Sequence, residues 1–249
     1  MVIEAKDLSL GFGQSTILED VNVGITKGSI TALVGPTGSG KTTFLRTLNR
    51  MNDRVRNHWK RGTVTFDGVD VHDRSTDLLD LRRRVGMVFQ RPNPFPMSIE
   101  QNVVAGVRAH RMAKRRQLHD IAETHLAQVG LWSAVADRLK DSPYRLSGGQ
   151  QQLLCLARAL AVEPEVLLLD EPTASLDPVS TEAVEELLAR LTPALTVVIV
   201  THNLAQAKRL SDETTFFYQG RLIESGPTET MFGSPERPET ARYFGGLVG

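Results

Sequence analysis

The hydrophobic and polar positions change their spacing several times near the N-terminus. Apolar and polar residues alternate over residues 2–5 and again over 17–25, which predicts half-exposed antiparallel strands. Residues 30–35 form a short apolar run, typical of a buried parallel strand. From Lys41 to about Arg50 the apolar residues take helical spacing. The chain is therefore expected to begin with a β edge and to continue with a strand, a loop and a helix.

The remainder of the chain separates into strand-rich and helical parts. Residues 166–170 and 196–200 predict two more buried strands, and residues 215–224 predict a hairpin around a Gln-Gly turn. Residues 98–161 show helical spacing without strand signals, carried by Leu118, Ile121, Ala122, His125, Leu126 and Val129. We therefore expect one α/β domain over residues 1–249, with an antiparallel β edge. Its core comprises residues 1–97 and 162–249, and residues 98–161 form an inserted α-helical subdomain.

Composition narrows the class of protein. The 29 Lys and Arg residues balance 29 Asp and Glu residues, whereas a dedicated nucleic-acid binder usually has a basic excess, so no nucleic-acid partner is expected. The one cysteine, Cys155, forms no internal disulfide and fits a reducing compartment. No apolar run approaches the roughly 18 residues that a membrane span needs, although the protein can still dock on a membrane protein.

A phosphate-binding loop follows the first buried strand. The pattern G-x-x-x-x-G-K-[ST] is matched at every fixed position by Gly35, Pro36, Thr37, Gly38, Ser39, Gly40, Lys41 and Thr42. The glycines let the backbone N–H groups face a phosphate chain, and the next helix adds the positive end of its dipole. Lys41, expected at an exposed loop end, reaches the β- and γ-phosphates, and the Thr42 hydroxyl is a ligand for Mg²⁺.

Two carboxylates complete the chemistry of such a site. The strand at residues 166–170 delivers Asp170 to its carboxyl end, where open α/β sheets bind their ligands. Asp170 is expected to hold Mg²⁺, through water. Glu171, one residue further, is expected to orient or deprotonate a water that attacks the γ-phosphorus.

A second phosphate-binding surface identifies the family. The pentapeptide at residues 146–150 stands at the start of a predicted helix, and its members are Leu146, Ser147, Gly148, Gly149 and Gln150. Since the chain already has one phosphate loop, the second surface suggests a γ-phosphate supplied by another subunit. The sequence here resembles the ATP-binding-cassette (ABC) ATPases, whose signature is this pentapeptide. The fold implied is the P-loop NTPase core of that family.

Further motifs of the family follow in order. Gln90 matches the Q-loop glutamine, Asp177 the D-loop aspartate and His202 the switch histidine, while Phe12 stands where the family places an adenine-stacking aromatic. The resemblance implies a homodimer with two ATP–Mg²⁺ between the subunits. It assigns Gln90 to the metal beside Thr42 and Asp170, and His202 to the γ-phosphate.

The same resemblance completes the set of site residues. Thr43 joins the ATP-binding loop, and residues 147–150 approach the ATP of the other subunit. Asp177 would couple the two sites of the dimer.

The spacing of the motifs selects a class of cassette. The interval from Gln90 to Ser147 leaves no room for the long coiled coil of DNA-repair relatives, and no membrane span is fused. This implies a cassette on the cytoplasmic face of the membrane that serves two separate permease subunits and an extracytoplasmic substrate-binding protein. Segments 48–52, 81–99, 131–139 and 150–152 resemble phosphate-import ATPases. The Pro-Phe-Pro segment at residues 94–96 lies where such cassettes contact their permease.

Some positions depart from that pattern and leave alternatives. Leu153 replaces a usual Arg, residues 100–101 replace a usual Tyr-acid pair, and residues 243–249 follow the family's usual ending only loosely. The alternatives are a cassette for polar amino acids, a soluble P-loop kinase and a regulatory module without transport. The basic stretch of residues 108–116 is either a solvated helix face or a patch that faces a partner or lipid head groups.

Overall fold

The computed structural model describes residues 1–246. Its ten strands are β1 (Ile3–Phe12), β2 (Ser15–Ile25), β3 (Ile30–Val34), β4 (His58–Phe66), β5 (Val69–Asp70), β6 (Val85–Val88), β7 (Val166–Asp170), β8 (Thr196–Val200), β9 (Glu213–Tyr218) and β10 (Arg221–Pro227). Its eleven α-helices are α1 (Lys41–Thr47), α2 (Leu78–Arg84), α3 (Ile99–Val103), α4 (Ala105–Ala109), α5 (Leu118–Gln128), α6 (Trp132–Val135), α7 (Gly148–Leu160), α8 (Pro178–Leu191), α9 (Leu204–Leu210), α10 (Thr228–Gly233) and α11 (Pro238–Phe244). In these residues no helix has the length and apolar character that crossing a bilayer requires.

The chain divides into two compact units. The first comprises residues 1–82 and the described residues from 192 onward, and the second comprises residues 83–191. The second unit includes β6, β7 and α8 in addition to the predicted helical insert, within which the described residues 98–161 form helices and no strand. The extent of the insert as a subdomain stays a prediction, and residues 247–249 of the predicted core and ending lie outside the described residues.

The first unit contains an antiparallel sheet in the order β2-β1-β4-β5. The predicted pairing of the first two strands is confirmed, with Ile3 opposite Ile25. Strand β4 had no signal in the sequence, because its first half is basic and Gly62 interrupts it at a φ of 76°. A Cβ at Gly62 would overlap the backbone of Asp7, so the close approach of β1 requires a glycine here.

The same unit carries the strands that lead to the phosphate loop. Strand β3 is fully buried and lies parallel to both β8 and β9, while β9 and β10 form the predicted hairpin. Helix α1 follows the loop, and its buried Phe44 packs on Phe217 of β9 at 5.4 Å between ring centroids. In the second unit, β6 and β7 pair in parallel.

Helix α1 is shorter than its sequence predicts. It ends at Thr47 rather than near Arg50, and Arg50 takes a left-handed φ of 60°. The reason is a competing side chain, since Asn52 donates to the Thr43 carbonyl at 2.8 Å and to the Thr47 hydroxyl at 2.7 Å. These bonds cap the last turn and direct the chain into a short 3-10 helix, Met51–Arg54.

The turn of the β9–β10 hairpin provides a test of this packing. Gly220 has a φ of 80°, its N–H donates to the Ser39 carbonyl at 3.2 Å, and a Cβ there would lie 2.6 Å from the Ile17 oxygen. Gly220→Ala should therefore lower the free energy of unfolding by about 1–3 kcal/mol, from backbone strain and this overlap. Urea denaturation measures the change.

The matched control is Gly226→Ala in β10, because no heavy atom lies within 4 Å of a Cβ at that position. Its unfolding free energy should stay within about 0.5 kcal/mol of the wild type. Equal midpoints for the two variants would show that the turn is not constrained as described.

Candidate functional site

The phosphate loop owes its shape to three glycines. Gly35, Gly38 and Gly40 have φ values of 142°, 80° and 101°, in the region that disfavours other residues. A Cβ at Gly35 would overlap the carbonyl oxygen of Phe217, and one at Gly40 would overlap the Leu18 side chain. Conformation therefore favours glycine at all three positions, and space also requires it at Gly35 and Gly40.

Lys41 lies inside this loop rather than at an exposed end, which corrects the expectation from the sequence. Its side chain is 4% exposed, and its ammonium donates to the carbonyls of Gly35 at 2.7 Å and Pro36 at 2.8 Å. The Ser39 hydroxyl lies 3.4 Å away. An ammonium group that is removed from water needs acceptors for its three N–H donors, and the carbonyls of the loop provide them.

The C-terminal helix α11 contacts the start of the loop, which sequence reasoning missed. Tyr243 is buried and stacks on Phe216 with ring centroids 4.8 Å apart, and Phe216 pairs in register with Val34. The Tyr243 hydroxyl lies close to the Gly35 backbone. Burial raises the pKa of Tyr243, so its hydroxyl stays neutral at physiological pH. No local sequence signal connects a residue this distant to the loop.

His202 lies at the same sheet edge as the start of the loop. Strands β3 and β8 pair Leu33 with Val200, and the Thr201 N–H donates to the Leu33 carbonyl at 3.3 Å. The Thr201 hydroxyl in turn donates to Gln206 at 2.7 Å, which secures the turn. His202 follows directly and is exposed. The edge thus presents an imidazole beside a strand end that leads into the phosphate loop.

Phe12 ends strand β1 and is half-buried. Its ring lies 5.8 Å from that of His58, and the next residue, Gly13, accepts a hydrogen bond from the Trp59 indole at 3.1 Å. Burial lowers the pKa of His58, which favours the neutral imidazole. Phe12 is therefore supported by an uncharged ring. A half-exposed aromatic of this kind has the properties that base stacking needs.

The carboxylates and the Q-loop glutamine meet in the second unit. Strands β6 and β7 pair Val88 with Leu169, so the residues that follow emerge at one sheet edge. Asp170 is 1% exposed, and Glu171 takes a left-handed φ of 47° immediately after the strand. The Gln90 amide donates to the Glu171 carboxylate at 2.9 Å. The structure thus brings together two residues whose roles were predicted separately.

The side chains of Asn102 and Arg158 hold the segment that follows Gln90. The buried Asn102 amide donates to the carbonyls of Phe95 and Met97, each at 3.1 Å, and its oxygen accepts from the Phe95 N–H at 2.7 Å. Arg158 lies 4.1 Å over the Phe95 ring and donates to Asn93. The contacts of Asn102 and Arg158 with this segment could not be predicted from the sequence, because they depend on how two separate helices, α3 and α7, pack against it.

The predicted signature begins helix α7. Ser147 caps the helix, since its hydroxyl accepts from the Gln150 N–H at 3.2 Å while the Gln150 side chain accepts from the Ser147 N–H at 3.1 Å. Ser147 and Gly148 are exposed. A Cβ at Gly149 would lie 3.3 Å from the Ser175 carbonyl, so this glycine allows the D-loop to approach.

Asp177 caps helix α8. Its carboxylate accepts from the N–H groups of Val179 and Ser180, both at 3.0 Å, and from the Ser180 hydroxyl at 2.6 Å. The Ser180 hydrogen bonds hold the pKa of Asp177 below its usual value. The structure therefore gives Asp177 a local structural role, and its predicted coupling role stays a prediction.

The donor atoms of the predicted metal ligands fit Mg²⁺. Thr42, Gln90 and Asp170 offer a hydroxyl, an amide oxygen and a carboxylate, all of them hard oxygen ligands. Among residues 1–246 no group of three or more His, Cys, Asp or Glu side chains is placed to hold a metal by itself.

Sequence comparison relates the chain to transport ATPases. A family model described as ABC transporter matches residues 18–174. The phosphate import ATP-binding protein PstB 2 of Mycobacterium tuberculosis is 60% identical over 245 residues, covering 98% of this chain and 88% of the relative. PstB of Mycobacterium intracellulare is 62% identical over 244 residues, covering 98% and 85%. PstB of Cytophaga hutchinsonii is 48% identical over 249 residues, covering all of both chains.

Solved structures share the fold. An ATP-binding cassette, solved as a dimer in a post-hydrolysis state with ADP and inorganic phosphate, superimposes with a TM-score of 0.81 at 28% identity, covering 91% of this chain and 98% of the other. A bacterial Atm1-family ABC exporter with ATP bound gives a TM-score of 0.84 at 24% identity over 99% of this chain and 42% of the exporter. The exporter supports the fold alone. The predicted α/β class is confirmed.

The buried position of Lys41 generates a prediction. Lys41→Ala should abolish ATP hydrolysis and weaken ATP binding by about tenfold to a hundredfold, because it removes a charged hydrogen-bond donor to phosphate. It should also lower the unfolding free energy by about 1–2 kcal/mol, since the Gly35 and Pro36 carbonyls lose this donor. Hydrolysis, nucleotide titration and urea denaturation measure the three effects.

Lys27→Ala is the matched control, because Lys27 is an exposed lysine of the same unit. It removes the same charge and should leave all three quantities unchanged. Hydrolysis by Lys41→Ala at the wild-type rate would refute the assignment of the loop.

Proposed function

This chain belongs to the ABC transporter family, and we propose that it is the ATP-hydrolysing subunit of an importer for inorganic phosphate. The observation that carries the proposal is the identity of 60% with a phosphate import ATP-binding protein over 98% of the chain. The match extends well beyond the shared ATP-binding motifs.

ATP is held by the residues of the phosphate loop. Lys41 exchanges its bonds to the Gly35 and Pro36 carbonyls for bonds to the β- and γ-phosphates. The backbone N–H groups of residues 37–43 surround the phosphate chain. Phe12 stacks on the adenine, where Phe retains the π-face of the more usual Tyr.

Mg²⁺ neutralises charge on the phosphates when it is bound, and Thr42, Gln90 and Asp170 are its proposed ligands. Asp170, 1% exposed at the end of β7, would offer a carboxylate oxygen to the ion. The Gln90 amide nitrogen donates to Glu171, which leaves the amide oxygen to face a metal. The same side chain can therefore serve the metal and the general base.

Hydrolysis depends on Glu171 and His202. The Glu171 carboxylate accepts a proton from the attacking water, and the Gln90 hydrogen bond orients this carboxylate. His202 is exposed at the edge of β8, and we assign it to contact with the γ-phosphate. Both residues act at the phosphorus that is attacked in line.

A second copy of the chain completes each site. The start of α7, residues 147–150, of which Ser147 and Gly148 are exposed, meets the γ-phosphate of the partner's ATP. In the capping box the Ser147 oxygen is an acceptor, so its O–H hydrogen remains available for a phosphate oxygen. Asp177, at the start of α8, would transmit closure from one site to the other.

The segment after Gln90 is the proposed contact with the permease. Phe95, Met97 and Tyr144 are exposed large hydrophobic side chains, with 41%, 38% and 60% of their surface accessible. Arg158 and Asn102 hold this segment in place. Two transmembrane permease subunits would dock here, with the cassette on the cytoplasmic face of the membrane. An extracytoplasmic protein would deliver the substrate.

The comparisons disfavour two of the alternative functions. A soluble P-loop kinase has no use for the signature at residues 146–150, and membership of the ABC transporter family opposes it. A cassette for polar amino acids shares the ATP chemistry. The phosphate-import relatives, which match nearly the whole chain, favour phosphate as cargo.

Trapping the ATP-bound dimer tests the shared site. Glu171→Gln should bind ATP and lower the hydrolysis rate by about a hundredfold or more, because an amide cannot accept the proton. ATP should then shift this variant from monomer to dimer on size-exclusion chromatography. Adding Ser147→Arg should abolish the dimer without abolishing ATP binding, since Arg is too large for the approach of α7 to a phosphate.

Ser142→Arg in the Glu171→Gln background is the control. Ser142 is an exposed serine of the same unit, and its side chain makes no capping bond. This double variant should still dimerise. A dimer that persists undiminished with Ser147→Arg would contradict the shared site.

Transport by the assembled transporter tests the cargo. Inside-out membrane vesicles that contain the chain with its permease are loaded with radiolabelled phosphate and the extracytoplasmic binding protein. They should release the phosphate only when ATP is supplied to the outer face, which carries the cassette. Vesicles with Glu171→Gln should not, because hydrolysis is blocked. ATP-driven transport of a polar amino acid without transport of phosphate would overturn the assignment of cargo.

A further inference from the structure

A cavity of about 590 Å³ opens among the helices of the second unit. Its lining residues come from α3, α4, the following turn and the start of α5: Gln101, Arg108, Arg111, Ala113, Arg115 and Leu118. The volume falls in the range of cavities that hold small molecules. None of these residues belongs to the phosphate loop, the carboxylate pair or the signature.

The backbone holds the arginines around this cavity. Arg111 takes a left-handed φ of 55°, which turns the chain back on α4. The Arg111 N–H donates to the Arg108 carbonyl at 3.1 Å, and the Met112 N–H donates to the Val107 carbonyl at 2.9 Å. Val107 is buried and anchors the turn. The backbone positions of Arg108 and Arg111 therefore follow from a closed turn rather than from a freely extended loop.

The charge of the cavity is uncompensated. Residues 101–119 include no Asp or Glu and five Lys or Arg residues, although the whole chain has no net charge. Within residues 1–246 the side chains of Arg108, Arg111 and Arg115 form no ion pair, whereas Arg84 pairs with Glu165.

The neighbouring acidic groups do not neutralise the cavity. Glu100 accepts from His119 at 2.9 Å, and Asp120 and Glu123 lie further along α5 and do not line the cavity. Three like charges around one cavity repel each other, and an anion would relieve this repulsion.

We propose that this cavity binds an anion that carries two or more phosphate groups. Guanidinium groups pair with phosphate oxygens through parallel hydrogen bonds, and three of them match a ligand of several negative charges. Gln101 adds a neutral polar group, and Leu118 an apolar wall. The phosphates come either from a free polyphosphorylated molecule or from a lipid head group with two phosphates, such as that of cardiolipin.

Binding of tripolyphosphate tests the cavity. The full chain carrying Lys41→Ala is used, so that the phosphate loop contributes little to the signal, and calorimetry measures the Kd. Arg108→Gln/Arg115→Gln should weaken binding by about tenfold or more, because two charged contacts are lost. Lys114→Gln/Arg116→Gln removes the same charge from the same stretch at positions that do not line the cavity. This control should change the Kd by less than about threefold, because it loses only the general electrostatic attraction between the protein and the anion.

Sedimentation with vesicles distinguishes the two sources of phosphate. Phosphatidylcholine vesicles with cardiolipin are compared with vesicles in which phosphatidylglycerol supplies the same charge. If Arg108→Gln/Arg115→Gln weakens the binding of tripolyphosphate more than the control does, and leaves vesicle binding unchanged, the ligand is a free anion. If it weakens binding to cardiolipin vesicles more than the control does, the ligand is a lipid head group. Equal losses by both double variants, or no loss by either in both experiments, would overturn the proposal, and thermal melting of each variant verifies that it is folded.

Discussion

Parallel strand pairing is the constraint on which the chemistry of both units depends. In the first unit the pairing of Leu33 with Val200 places the loop start and the switch histidine at one edge. In the second unit, the pairing of Val88 with Leu169 places Gln90 and the two carboxylates at one sheet edge. A slip of one residue would move a strand end by about 3.3 Å. A displacement of that size breaks the hydrogen bonds made by the side chains at the strand end. The register of the buried strands in each unit therefore sets which candidate residues of that unit lie together.

The residues assigned to ATP are already engaged with their own surroundings. Lys41 binds the carbonyls of its loop, Glu171 accepts from Gln90, and Ser147 is part of a capping box. These contacts fix side chains that would otherwise lose conformational entropy on binding. Exchanging one hydrogen bond for another costs little, so the nucleotide meets an ordered site that is still able to change partners.

Gln90 lies between the chemistry and the proposed permease contact. Its amide contacts Glu171, and only a few residues further the exposed Phe95 is held by Asn102 and Arg158. A movement of Gln90 that follows the loss of the γ-phosphate would therefore act on a short and well-supported segment. Such a segment transmits displacement better than a long loop, because packed elements have discrete arrangements.

Local sequence determined strands β1–β3 and β7–β10, the glycine loop and the chemistry of the motifs. The apolar run at residues 30–34 and the Gly-Lys-Thr sequence at residues 40–42 indicated a buried strand and a phosphate loop, because burial and backbone freedom depend on nearby residues. Membership of a transporter family also followed from the order of the motifs.

Tertiary structure alone decided what joins positions distant in sequence. It placed Lys41 inside the loop, ended α1 through Asn52, set Tyr243 against Gly35 and gathered the arginines around a cavity. None of these follows from periodicity, since hydrogen bonds and burial at a given side chain depend on which segments fold against it. The sequence determined which groups are present, and the packing determined which of them face one another.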